Sequence, residues 1–239
     1  MEITTQHTLG AIVKEFHAAA SVFEKYHLDF CCQGKRSLAV ACEESGLIPE
    51  EIAAEVNRAI NSNSPAEHDF DSFDPEQLIS YIIFKHHSYV KQTSPVIKEH
   101  LYRVANKHGD RFPEMKKVFA LFLEVEEELQ MHLQKEEVIL FPRIREVYHA
   151  SVNASPTSFP PTYLDGPIQV MEAEHSHAGN ALYEIRQLTN NYTAPEGACT
   201  TFNLVINELK AFEEDLHQHV HLENNILFPK GEEILLLLN

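Results

Sequence analysis

Two histidines and two glutamates set the chemistry of this 239-residue chain: His132 with Glu136, and His219 with Glu223. Residues four apart lie on one face of a helix. Each pair can therefore aim an imidazole nitrogen and a carboxylate oxygen at one point. The pairs head two copies of an eleven-residue pattern, HLQKEEVILFP from His132 to Pro142 and HVHLENNILFP from His219 to Pro229, which agree at six positions. Nitrogen and oxygen donors of this kind suit iron, manganese or zinc. Two such helices facing each other could hold a pair of metal ions.

The repeat reaches further back. His87 precedes His132 by 45 positions and His175 precedes His219 by 44. Each half reads as a helical hairpin, with one His on the outgoing helix and His-x-x-x-Glu on the return, which is the mark of an internal duplication. On the return helices Val125, Leu129, His132, Glu136 and Ile139 step by 4, 3, 4, 3, as do Phe212, Leu216, His219, Glu223 and Ile226. That is the core seam of a bundle. Ile83, His87, Val90 and Ile97 form an outgoing seam, and Ile168, Met171, His175, Ala178 and Leu182 form the other. The seams select His87 over His86 and His175 over His177.

An unpartnered carboxylate in such a core costs several kcal/mol. One isolated His-x-x-x-Glu pair is better read as a hydrogen-bonded core pair. Two glutamates at matched depth beside four imidazoles are better read as metal ligands. If both glutamates bridge, each ion has four protein ligands, with room for an oxo or hydroxo bridge and a small exogenous ligand. Six-coordinate iron fits best; structural zinc more often takes Cys and is closed. The spacing differs from the Glu-x-x-His of ferritin-like bundles.

Other histidines and acids need placing. His108 lies 21 residues beyond His87, about 31 Å along a straight helix, so it belongs near a hairpin turn. His100, His217 and His221 are expected on solvated faces. Glu128, one turn before His132, and Glu174, beside His175, are candidates to support the ligands from behind, with a solvated surface acid the equal alternative for each.

The elements that must hold these residues are helical. Residues 8–26 read as one amphipathic helix, a second starts near Ser37 and ends at Gly46, and a third runs from Pro49 to about Ile60. The polar stretch 61–72 reads as a linker. Beyond Asp74-Pro75, four long helical segments span about 75–107, 113–149, 166–191 and 196–236. The expected fold is all-α: a small helical domain at 1–62, then an antiparallel four-helix bundle at 73–239. The apolar surface of so small a domain could pack across subunits of a homodimer.

Composition narrows the function classes. A net charge of −17 (19 Lys+Arg against 36 Asp+Glu) argues against an electrostatic nucleic-acid footprint. The N-terminal residues lack signal-peptide character, and no apolar run reaches the roughly 18 residues of a membrane span, so a soluble, cytoplasmic protein is expected. Four cysteines, Cys31, Cys32, Cys42 and Cys199, are too few for a disulfide framework. Cys31 and Cys32 are adjacent and read as a thiol pair or soft ligands, with buried packing the alternative.

The paired hairpins resemble hemerythrin-like cation-binding domains. YHLDFCCQGKRSL, which carries Tyr26, Asp29, Phe30, Cys31, Cys32, Gly34 and Leu38, resembles the Cys-Cys N-terminal domain of iron–sulfur cluster repair proteins of the ScdA/YtfE, or repair-of-iron-centres, type; LENNILFP and MEAEHSHAG resemble that family's C-terminal half. The resemblance covers nearly the whole chain. It implies a cytosolic non-haem di-iron protein of oxidative or nitrosative stress, which restores damaged iron–sulfur clusters by supplying iron. Carried onto this chain, the iron ligands become His87, His132, Glu136, His175, His219 and Glu223, and the thiol pair Cys31 and Cys32. Gln33 departs from the Gly that relatives often carry. No fifth His is evident, which favours a more open site than that of oxygen carriers. The alternatives are a nitric oxide-reducing di-iron enzyme and a hemerythrin-like binder or sensor of O2 or NO. The partners implied are damaged iron–sulfur proteins and a small diatomic.

Overall fold

The computed structural model describes residues 3–16, 18–31, 33–61, 70–153 and 158–239. The N-terminal segment carries α1 (Leu9–Glu15), α2 (Ala18–Lys25), α3 (Leu38–Glu44) and α4 (Pro49–Asn61). The single helix expected over 8–26 is interrupted: α1 closes at Phe16, whose backbone leaves the helical region. Oxygen side chains start the short helices, with Thr8 accepting from the Ala11 amide and Ser37 from that of Val40. The two starts are tied by a bridge between Thr8 and Ser37 and by the Gly10 amide donating to the Gly34 carbonyl at 2.9 Å. A Cβ on Gly34 would fall 2.2 Å from the Phe30 carbonyl oxygen, and one on Gly10 would fall 2.8 Å from Asn225 Oδ1. The first is a clash with backbone that glycine alone avoids, whereas the second meets the end of the Asn225 side chain, which can move aside.

The rest is a four-rod bundle. The first rod comprises α5 (Pro75–Ile82), a π-turn π1 (Ile83–His87) and α6 (Ser88–His108). The second comprises α7 (Glu114–Lys135), π2 (Glu136–Leu140) and α8 (Phe141–Val152). The third is α9 (Asp165–Leu188). The fourth comprises α10 (Thr200–Leu222), π3 (Glu223–Leu227) and α11 (Phe228–Leu238). Asp74 and Gln77 form a reciprocal capping box at the start of the first rod, with Pro75 in its first turn. Among the described residues, no helix is long and apolar enough to cross a membrane.

The π-turns are absent from the seam reading, and they have local causes. Pro142 and Pro229 stand in the first turn of α8 and α11, immediately beyond π2 and π3. A proline has no N–H to give and its ring crowds the carbonyl four residues back, so the preceding turn widens. No proline follows π1; there the Ser88 hydroxyl donates to the Ile83 carbonyl at 3.1 Å. Each extra residue turns the following seam. Ile139, expected in the core, is 46% exposed while Leu140 and Phe141 are buried; in the other copy Ile226, Leu227 and Phe228 are all buried.

The core has two apolar clusters. One joins the N-terminal helices to the bundle through residues such as Phe23, Phe30, Val90, Leu129, Leu182 and Leu216. The other, around Ile82, Phe141, Ile144, Met171 and Phe228, fills the opposite part of the bundle. The polar layer carrying the chemistry lies between them.

Candidate metal centre

The six residues singled out by spacing converge in that layer. His87, Glu136, His219 and Glu223 form one group, and His132, Glu136, His175 and Glu223 form a second. In each group the donor atoms lie within 4.8 Å of one another. Both glutamates belong to both groups. All six side chains are buried, with His87, Glu136, His219 and Glu223 at 0% exposure. His87 closes π1, while Glu136 and Glu223 open π2 and π3, so three of the six stand on widened turns.

The imidazoles point Nε2 inward. His219 Nε2 lies 3.0 Å from Glu223 Oε1, His175 Nε2 3.2 Å from Glu223 Oε2, His132 Nε2 3.4 Å from Glu136 Oε1 and His87 Nε2 3.4 Å from Glu136 Oε2. Three Nδ1 atoms are held from behind. His87 Nδ1 is 2.8 Å from Glu137 Oε1, His132 Nδ1 2.9 Å from Glu174 Oε2 and His175 Nδ1 2.9 Å from Asn224 Oδ1. Carboxylate and amide oxygens only accept, so these Nδ1 atoms donate and each Nε2 is left to face the centre, as a lone pair on a neutral ring or as a second N–H on a charged one. Lys91 pairs with Glu137 and Lys135 with Glu174. Phe141 stacks on His87, centroids 5.6 Å apart, and Phe228 on His175 at 6.3 Å. The phenylalanine of each ILFP copy therefore braces the outgoing histidine of its own half.

The donor set fits a pair of cations. His87 Nε2, both Glu136 oxygens and Glu223 Oε2 are buried without a hydrogen-bond partner among the described residues, a costly state for groups so polar. His132 Nε2 and His175 Nε2 face each other at 2.9 Å, a distance that requires a proton or a cation between the two nitrogens. Protonation gives the same message. Burial pushes His87 down, but Glu136 and Glu223 more than offset it and hold the ring at about 10. Against the same burial, His132 is held at about 9, chiefly by Glu136. Burial also opposes the charged form of Glu136 and Glu223, yet the neighbouring histidines keep the first low and the second well below the carboxylate range. His219 is pushed down by its burial.

The other expectations fare differently. Glu174 stands behind His132 as described, whereas Glu128 bonds His177 Nδ1 at 2.7 Å on the exposed face of the bundle. His217 and His221, expected on solvated faces, are 7% and 4% exposed. The N-terminal segment covers them: the Phe30 ring meets both edge-on, and Glu24 accepts from His217 Nδ1 at 2.8 Å. His100 is half-buried and paired with Glu208 at 2.9 Å. His108 contacts Cys199 Sγ at 3.2 Å and belongs to neither group. Cys31 is buried, its thiol donating to Asp29 Oδ1 at 3.2 Å; Cys32 lies outside the described residues. Glu137 and Asn224 escaped the sequence reading. Both follow the glutamate of their repeat, a matched position whose residue types differ.

Comparison with known proteins bears on this geometry. The model of the Hemerythrin HHE cation binding domain matches residues 78–231, and that of ScdA_N, a domain of unknown function, matches residues 5–60. The Iron-sulfur cluster repair protein YtfE of Escherichia coli is 35% identical over 224 residues, which is 93% of this chain and 95% of the relative. Its counterpart in Shigella boydii shows the same figures. The chain belongs to the hemerythrin-type iron–sulfur cluster repair family. Family membership gives the bundle a non-haem iron pair as its cofactor, and the buried histidine–glutamate layer is where the described residues gather groups that could hold metal ions. It also makes the Cys31 segment part of the family's N-terminal module.

Proposed function

We propose that this chain repairs iron–sulfur clusters damaged by oxidative or nitrosative stress by handing on iron held by His87, His132, Glu136, His175, His219 and Glu223. The convergence of six buried imidazole and carboxylate side chains at one depth carries the reading, with His87 Nε2, both Glu136 oxygens and Glu223 Oε2 unpartnered among the described residues, together with the repair function named for relatives that align over 93% of the chain. Glu136 and Glu223 would bridge the ions, with an oxo or hydroxo group completing the pair. Iron is the cargo here. The chain's own contribution is to fix four Nε2 donors, neutralise the charge with two carboxylates and exclude bulk water. We assign residues 1–62 to a Cys-Cys domain and 73–239 to the bundle, and place the protein in the cytoplasm with damaged iron–sulfur proteins as clients. Cys31 and Cys32 would receive iron or meet the client, since thiolate binds iron well. Beside this segment a cavity of about 500 Å³, lined in part by Asp29, Gln33, Arg36 and His217, offers room for contact.

The test is transfer. Iron-loaded protein mixed with an apo-ferredoxin should restore its cluster faster than the same amount of free iron; equal rates would sink the donor reading. A second reading is reduction of nitric oxide. Each group would supply four protein ligands, which would leave positions on both ions for small diatomics. Anaerobic turnover with nitric oxide that evolves nitrous oxide would favour it, and its absence would dismiss it. Reversible binding of O2, with an oxy spectrum, is the expectation of a hemerythrin-like carrier. The Cys-containing segment has no use in that role.

A further inference from the structure

The duplication predicts how each ligand should be supported, and one ligand breaks the rule. The outgoing histidines obey it. His87 Nδ1 bonds the residue that follows the glutamate of its half, Glu137, and His175 Nδ1 bonds the corresponding Asn224. The return histidine His132 bonds the residue that precedes His175, Glu174. The counterpart for His219 is the residue that precedes His87, which is His86 rather than an acid.

His86 does not take Glu174's role. Its ring is 1% exposed and lies parallel to His219, 3° between planes and 5.7 Å between centroids. Its Nδ1 is instead 3.1 Å from Asp215 Oδ1. His219 Nδ1 consequently has no acceptor among the described residues although the side chain is wholly buried. Asp215 is one helical turn before His219, and its Oδ2 is likewise buried without a partner. Among the described residues His219 therefore keeps its orientation by stacking and by its own contact with Glu223, with no hydrogen bond from behind.

An acceptor behind a ligating imidazole fixes the ring and strengthens Nε2 as a donor, and removing one typically lowers metal affinity about 10–100-fold. The group containing His132 and His175 has both imidazoles supported, whereas the group containing His87 and His219 has one of two. We propose that the two metal positions are unequal by construction: the ion held by His87 and His219 leaves first, and His86 is the positioning residue that makes it so. The inference rests on the reading that the six residues hold two ions. It adds which of the two is handed on.

The experiment follows release of iron from the fully loaded chain to a coloured ferrous chelator under anaerobic conditions. The wild type should release its iron in two phases of equal amplitude, separated by roughly tenfold or more in rate. His86→Glu, which supplies the acid that the duplication calls for, should slow the fast phase until the two merge, at unchanged iron content. His86→Phe, which keeps a stacking ring and offers no acceptor, should keep the two phases. Wild-type protein stopped after the fast phase should show a Mössbauer spectrum of isolated iron rather than a coupled pair. Should His86→Glu fail to fold by near-ultraviolet circular dichroism, Glu174→His provides the converse test, because it should accelerate the slow phase. A single release phase in wild-type protein carrying two irons overturns the inference, as does a folded His86→Glu that leaves both phases unchanged. Fewer than two irons per loaded chain would instead defeat the underlying ligand assignment.

Discussion

His132 and His175 meet Nε2 to Nε2 at 2.9 Å, a contact that needs either a proton or a cation between the two nitrogens. The glutamates favour protons on the neighbouring rings. His87 is held at about 10 and His132 at about 9 by Glu136 and Glu223, so near neutral pH both rings are charged and must lose their protons when metal enters. Calorimetry at pH 8 in buffers of different ionisation enthalpy should therefore register release of about two protons per pair of ions; no buffer dependence would refute this. The sign for stability follows. Both values are raised, so in the metal-free protein the stabilisation is complete below the unfolded imidazole value of about 6.5 and is lost as pH rises through about 9 to 10. Metal-free protein should melt at lower temperature at pH 10 than at pH 7. The glutamates separate from the histidines by what they hold. Glu136→Ala should lower occupancy of both positions because Glu136 belongs to both groups, whereas His132→Ala should empty chiefly one. Iron content of the two purified variants decides this, and equal losses would contradict the bridging role.

At the level of elements, three of the six gathered residues, His87, Glu136 and Glu223, stand on π-turns within otherwise regular rods. The seam rule placed His87, His132, Glu136, His175, His219 and Glu223 at one level because most of each rod is regular α-helix. It misplaced Ile139 because an inserted residue in π2 changes the period midway. The tandem ILFP motif held the clue: a proline within a helical pattern requires a local widening or a kink. Glu137 and Asn224 remained hidden for a related reason, since residue identity changes between the halves while the geometric role persists. Phe141 links element to site. Phe141→Ala should cost about 3–5 kcal/mol by leaving a cavity and should also free the His87 ring. Thermal melting should show the loss of stability, and chelator competition a weaker hold on iron. Unchanged iron retention would show that stacking does not restrain His87.

Across the whole molecule, the N-terminal segment and the bundle share one apolar cluster, and their contact runs along the back of a ligand-bearing helix. His217 and His221 face the N-terminal segment while His219, between them in sequence, faces the buried glutamates. Sequence could not reveal this, because a histidine buried by a neighbouring segment has the same local pattern as one in solvent. Burial alone would lower His217, but Glu24 raises it to about 9, so its contribution is full below about 6.5 and is lost as pH rises through about 9. His217→Ala should therefore cost about 1.5–3 kcal/mol and lower the amide protection factors of residues 18–31, a loss that wild type should show above that pH once the intrinsic pH dependence of exchange is divided out. Protection unchanged in the variant would refute the clasp. A second tie is interior to the bundle: Arg186 donates to both oxygens of Glu213 at 2.9 and 2.7 Å, with both side chains buried. Glu213→Ala would strand the guanidinium and should destabilise by about 3–5 kcal/mol, read by denaturant unfolding. One buried layer of four histidines and two glutamates would bind the two irons together. A Mössbauer spectrum of protein loaded with isotopically enriched iron, with elemental analysis of the same sample, tests it most directly. The account predicts two irons per chain in one antiferromagnetically coupled pair, lost together in Glu136→Ala. Magnetically isolated iron, or a pair that survives removal of both Glu136 and Glu223, would contradict it.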